Sequence, residues 1–154
     1  MSQFTQLKSD NDLKEILKSA FDVDLDISGS WGYTQILSTV IHSTDNPLAQ
    51  FEHMFASMRA YVEMSMTLEE ALRYGSINLN EIQRERLTLD KLVYDKVIYT
   101  VSAIKESVYN TFINEYKEGY GQKDFDLSAH FKRREEATLK REVTHWFEVH
   151  QALV

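Results

Sequence analysis

The stretch LAQFEHMFASMRAYVEMSM, residues 48 to 66, decides the fold. At helical spacing Leu48, Phe51, Phe55, Met58 and Val62 make a stripe. At a period of two, Met54, Ala56, Met58, Ala60, Val62, Met64 and Met66 fall on one side, opposite Ser57, Arg59, Tyr61, Glu63, Ser65 and Thr67. Unbroken alternation is harder to obtain by chance than a short helical stripe in so apolar a run, so the segment reads as a strand.

Upstream, the turn signal DNP at 45 to 47 closes the β-branched run QILSTVIHS at 35 to 43. Before it, FDVDLDISGSWGY at 21 to 33 alternates Val23, Leu25 and Ile27 with Asp22, Asp24 and Asp26, then breaks into a GSWG turn. The two runs predict a hairpin with one wet face. Leu13, Ile16, Leu17 and Ala20 recur at helical spacing, which predicts a first helix over LKEILKSAF capped by Ser9 or Asp10.

Downstream, TLEEALRYG predicts a helix with a Thr67 to Glu70 capping box and a stop at Gly75, and NEIQRERL a further short helix. LVYDKVIYTV at 92 to 101 has strand composition. KESVYNTFINEYKEG predicts a helix ending at Gly119, and LSAHFKRREEATL one capped by Asp126. REVTHWFEVH at 141 to 150 alternates again, with Val143, His145, Phe147 and Val149 on one side. The expected architecture is α+β, an antiparallel sheet of about five strands backed by helices, in one domain over residues 1–154. The competing reading is an all-α bundle in which 46–66, 88–118 and 127–152 are long helices.

Composition narrows the function. Hydrophobic content of 43% and charged content of 27% over 154 residues suit an ordinary folded domain, and a single proline with five glycines leaves little room for a linker. A net charge of −7 repels a phosphate backbone and an anionic bilayer at long range, so nucleic-acid and membrane partners are disfavoured and a basic protein surface is favoured. The absence of cysteine removes disulfides, thiolate metal sites and cysteine nucleophiles. The amino end MSQFTQLKSDND has no apolar run of the signal-peptide kind, and the expected location is cytoplasmic.

A calcium loop starting at Asp22 fails, because its sixth position is Ile27 and its twelfth is Tyr33, where glycine and a bidentate glutamate are required. GSWG lacks the spacing of a phosphate-cradling loop. Glu142 and His145 match half of a paired metal motif, but on a strand they point to opposite faces; no metal and no cofactor is expected. In FKRREEATLKRE, residues 131–142, glutamates interleave with the basic residues as on a solvated helix face.

Two groups of residues remain as site candidates. Asp22, Asp24, Asp26, Trp31 and Tyr33 combine carboxylates with large aromatics, the material of a protein contact, unless Trp31 folds back over the core. Arg59, Tyr61 and Glu63 on one strand and Glu148 and His150 on another are expected to form a polar sheet face able to hold an anion and move a proton. The first group suggests a non-enzymatic binding module of the immunity or antitoxin type, masking a basic partner protein. The second suggests a small enzyme or ligand-binding domain, and self-assembly as a homo-oligomer is a third possibility.

Overall fold

A computed structural model describes residues 4–8 and 12–154. The architecture is α+β: a five-stranded sheet with helices packed on it, mostly antiparallel. The proposed caps Ser9 and Asp10 lie outside the described residues, and the first helix, α1 (Leu13–Phe21), is capped instead by Asp12, whose carboxylate accepts from the Lys14 N–H. It ends at Asp22, in the left-handed region at φ 55°.

The Asp-rich segment keeps its predicted alternation, with Asp22, Asp24 and Asp26 exposed and Val23, Leu25 and Ile27 turned inward. Only its end pairs, as β1 (Ile27–Gly29) against β2 (Thr39–Ile41), so the expected hairpin exists with three residues on each side. Its connecting loop holds Trp31 and Gly32 inside the protein.

Residues 48 to 66 are not a strand. They form α2 (Leu48–Tyr61), which starts directly after Pro47 and runs into a π-helical turn, Val62–Met66. The period-two pattern fails because both of its sides are buried: Ala56, Met58 and Ala60 from one, Phe55, Arg59 and Glu63 from the other. Alternation in composition therefore carried no information about direction, while leucine, alanine, methionine, glutamate and arginine all favour helix. In the π turn the Thr67 N–H reaches back five residues to the Val62 carbonyl (3.1 Å). The Thr67 hydroxyl bonds the Val62 and Glu63 carbonyls (2.9 and 3.1 Å), so this threonine ends one helix and caps none.

The two helices expected next are also absent. The first is replaced by a short 3-10 turn, Glu70–Leu72, and the start of β3 (Tyr74–Leu89), and NEIQRERL lies within that strand. This strand pairs along β4 (Leu92–Lys105) through a two-residue turn in which Asp90 and Lys91 both have positive φ (50° and 71°). Such a turn matches the twist of a hairpin, and the ladder it starts overrides the helical preference of Gln83, Arg84 and Glu85.

The remaining elements are α3 (Glu106–Gly119), α4 (Leu127–Ala137) and β5 (Leu139–Glu148). Asp126 caps α4 by accepting from the Ala129 N–H (3.0 Å). The helix stops at Ala137, so 131–142 is not one continuous solvated face. The strand order is β1-β2-β5-β4-β3. β5 runs antiparallel to β4 but parallel to β2, with Thr39 opposite Phe147, which makes the sheet mixed.

On one face of the sheet, Val97, Tyr99, Val101 and Phe147 meet Leu13, Leu17, Phe51, Phe55 and Met64 from the helices. Each such side chain contributes about 1.5–3 kcal/mol by leaving water. Among the described residues no helix is long and apolar enough to cross a membrane.

Candidate functional site

The inward side of β5 starts with Leu139, Arg141 and Val143 and continues into the core with His145 and Phe147, because successive strand side chains alternate faces. Opposite this row runs the end of α2, where Arg59 and Glu63 stand one helical turn apart. The amino-terminal segment passes the same place and contributes Phe4 and Gln6. These three elements enclose an open cavity of about 530 Å³, also bordered by Tyr33 and Thr144.

At the base of the cleft sits Glu63, only 3% exposed. Its Oε2 accepts a short hydrogen bond from the Tyr33 hydroxyl and lies 3.5 Å from Arg59 Nε. Its Oε1 lies 3.2 Å from Arg141 Nη1, an ion pair that is not aligned as a hydrogen bond. Arg59 is buried and its Nη1 donates to the carbonyls of Trp31 (3.3 Å) and Thr144 (3.1 Å), tying α2 to the loop and to β5. Burial depresses the Arg59 pKa, and the carboxylate of Glu63 opposes that effect.

Both guanidiniums stack on aromatic rings: Arg59 lies 4.2 Å from the Tyr33 centroid and Arg141 4.6 Å from that of Phe4. The Tyr33 hydroxyl also accepts from the Leu7 N–H (2.9 Å). Burial and then the charge of Glu63 push its pKa up, so it stays a neutral phenol and a donor to the carboxylate. Two cations that line the cavity therefore face one buried anion, and Arg141, whose side chain keeps 17% of its surface accessible against 5% for Arg59, is the more open of the two. Glu142 borders the cleft but belongs to the opposite face of β5 and is exposed.

The cleft joins residues from both predicted groups: Tyr33 from the first, Arg59 and Glu63 from the second. Trp31 is 2% exposed and lies against Phe55 (ring centroids 5.9 Å), with its indole N–H directed at the Lys8 carbonyl (3.4 Å). Its ring is part of the core and is not on the surface. Asp24 pairs with Lys14 (3.5 Å) and Asp26 accepts from Ser43 (2.7 Å), both on the outside.

The expected polar sheet face does not assemble. Arg59, Tyr61 and Glu63 come from a helix and its π turn, Tyr61 leans on Phe21 (5.9 Å), and neither Glu148 nor His150 borders the cleft. Glu148 projects from the far face of β5 and His150 lies beyond its end.

His145 is an inward histidine, as its neighbours suggested. Its ring stacks on Phe147 (4.0 Å) and its Nε2 meets the Thr39 hydroxyl (2.9 Å), while Glu142 points the other way. Burial, then the charge of Arg59, drive its pKa well below the ordinary imidazole value, so it is neutral. Among the described residues no group of three or more acids and histidines is arranged to hold a metal.

Arg141 was missed because it was read with the helical charges of 131–142. The alternation that placed His145 inward, extended two steps back through Val143, reaches Arg141. Comparison with protein-family models, with curated proteins and with solved structures finds no match to this chain.

Proposed function

We propose that this protein is a ligand-binding domain whose cleft takes a small organic anion with an apolar body. The observation that carries this reading is the convergence of Arg59 and Arg141 on the single carboxylate of Glu63 beneath an open, aromatic-walled cavity. Glu63 balances the buried Arg59, which leaves the charge of Arg141 to be balanced from the cavity side. A carboxylate or phosphate meets a guanidinium fork with two parallel hydrogen bonds. Phe4, Leu139 and Val143 offer the rest of the ligand an apolar wall. Glu63, already engaged by Tyr33 and two arginines, is a positioning group rather than a base.

Heteronuclear NMR titration with benzoate and, separately, inorganic phosphate tests the reading. Benzoate is expected to shift the amides of Tyr33 and residues 139 to 144 saturably, phosphate more weakly because it lacks an apolar body. Arg141→Gln is expected to weaken benzoate binding about tenfold or more, with Arg141→Lys between the two. Shifts that scatter without saturating, or equal binding by a well-folded Arg141→Gln protein, would contradict it.

A second reading is a non-enzymatic inhibitor of the immunity or antitoxin type that masks a basic partner protein. One observation favours it: Asp22, Asp24 and Asp26 all face solvent along one ridge. With Trp31 inside the core, the contact is made by the carboxylates and not by the indole. Its test is co-purification from the native cell. A basic partner that is retained by the wild type and lost by the triple variant Asp22→Asn, Asp24→Asn, Asp26→Asn supports it; equal retention counts against it.

A further inference from the structure

The sheet-facing stripe of α2 is charged at both ends. Glu52, Phe55, Arg59 and Glu63 follow one another at three- and four-residue spacing, all buried, so the helix that supplies the cleft with Arg59 carries a second polar cluster two turns earlier.

Glu52 is fully buried against the β3–β4 hairpin, and its Oε1 accepts from Arg84 Nη1 (2.6 Å). Its Oε2 has no hydrogen-bond donor among the described residues. Beside it Asp95, also fully buried, accepts from Arg86 Nε (2.8 Å) and Nη2 (3.0 Å) and lies 3.4 Å from Arg84 Nη1. Arg84 is shared further, because its Nη2 donates to Glu81 (2.7 Å). Among the described residues, then, three carboxyls (Glu52, Glu81, Asp95) meet two guanidiniums (Arg84, Arg86).

Glu81 and the two guanidiniums reach solvent, but Glu52 and Asp95 lie side by side out of water and one oxygen of Glu52 has no donor, a state that a protein interior relieves by taking up a proton. Asp95 already has both oxygens engaged by arginine; Glu52 has one free.

We propose that Glu52 and Asp95 share a proton, and that this proton latches the first turns of α2 onto the β3–β4 hairpin. Burial, then the neighbouring Asp95 carboxyl, push the Glu52 carboxyl up to about 8. Against the cost of its own burial, the hydrogen bonds from Arg86 and the neighbouring Glu52 carboxyl hold Asp95 below the ordinary carboxylate range, so it is ionised throughout the window that matters. Of the other groups near Glu52, Glu81, Arg84 and Arg86 come from β3 and are in ion pairs, and the Tyr99 hydroxyl of β4 is pushed up by burial and stays neutral. His53, on α2 itself, directs its Nε2 at the Leu79 carbonyl (3.1 Å).

The sign follows from linkage. A carboxyl whose folded value lies above its free value of 4.5 stabilises the closed contact fully below that value, and the contribution is lost as pH rises through the folded value of about 8. The opening equilibrium of α2 therefore rises about tenfold per pH unit across that window and levels off above it. The latch is independent of the cleft, since Arg59 and Glu63 remain anchored through Trp31, Thr144 and Arg141.

Hydrogen exchange from about pH 5 to about pH 9, corrected for intrinsic rates, tests it on the whole protein and on Glu52→Gln, which mimics the protonated side chain. For amides 51 to 56 the ratio of wild-type to variant opening is expected to climb about tenfold per pH unit and level near pH 8, while amides of α3 show a ratio that does not change with pH. A ratio for 51 to 56 that stays constant with pH overturns the proposal. Carbon-13 NMR of the wild-type glutamate carboxyls gives an answer even if the variant fails to fold. A Glu52 midpoint near 8 supports the shared proton, and one in the ordinary glutamate range overturns it.

Discussion

Gly32 has φ +88° and sits against the buried imidazole of His145, where a Cβ would fall 2.1 Å from one ring carbon and 2.2 Å from Nε2. The Gly32 carbonyl accepts from the Trp146 N–H (2.8 Å), so the loop is stitched to β5 at the point where it passes the ring. Gly32→Ala is therefore expected to cost about 2 kcal/mol or more, through left-handed strain plus overpacking in the core. Urea denaturation reads this directly, and an unchanged midpoint would show that the loop yields without disturbing His145. The neighbouring residues divide by legibility. The inward direction of His145 and the outward direction of the three aspartates followed from alternation, because one side of each run is apolar and the other charged. Arg59 and Glu63 resisted the same logic: a buried ion pair looks like a solvated one in a sequence, and only its partners Tyr33, Trp31, Thr144 and Arg141 reveal its place.

Among the elements, those with a local cause are legible in the sequence. Asp126 accepting from Ala129 starts α4, and the apolar spacing of Leu13 and Leu17 turns one face of α1 into the core. α2 and β3 were read in reverse, for complementary reasons. In α2 the outer stripe of Gln50, His53, Ser57 and Tyr61 is no more polar than the inner one, which carries Glu52, Arg59 and Glu63, so polarity in its sequence does not mark an outside and an inside. In β3 most side chains are exposed, as suits a strand at the edge of the sheet with a charged middle, so it lacks the apolar alternation of a half-buried strand. The turn at Asp90 and Lys91 is the local signal that goes with it. Two residues of positive φ between LTL and LVY make a tight hairpin, but neither is glycine or asparagine, the usual mark of such a turn.

For the whole molecule, the α+β class emerged although one predicted strand is a helix and one predicted helix is a strand, because the two exchanges leave a sheet of five. The position of β5 between β2 and β4, parallel to one and antiparallel to the other, depends on pairings across most of the chain and has no local signature. That insertion gives the cleft one of its walls: it sets Arg141 opposite the end of α2, while the strand that was expected to carry Arg59 is a helix packed over it. The chain as a whole is acidic at −7, so under the proposed function an anion would be drawn in at short range by Arg141 and not by the overall field. Calorimetric titration of the wild-type protein with benzoate and with its neutral counterpart benzamide tests that claim most directly. Benzoate is expected to bind about tenfold or more tightly, equivalent to ~1.4 kcal/mol, and equal affinity for the two would contradict an anion-selective cleft.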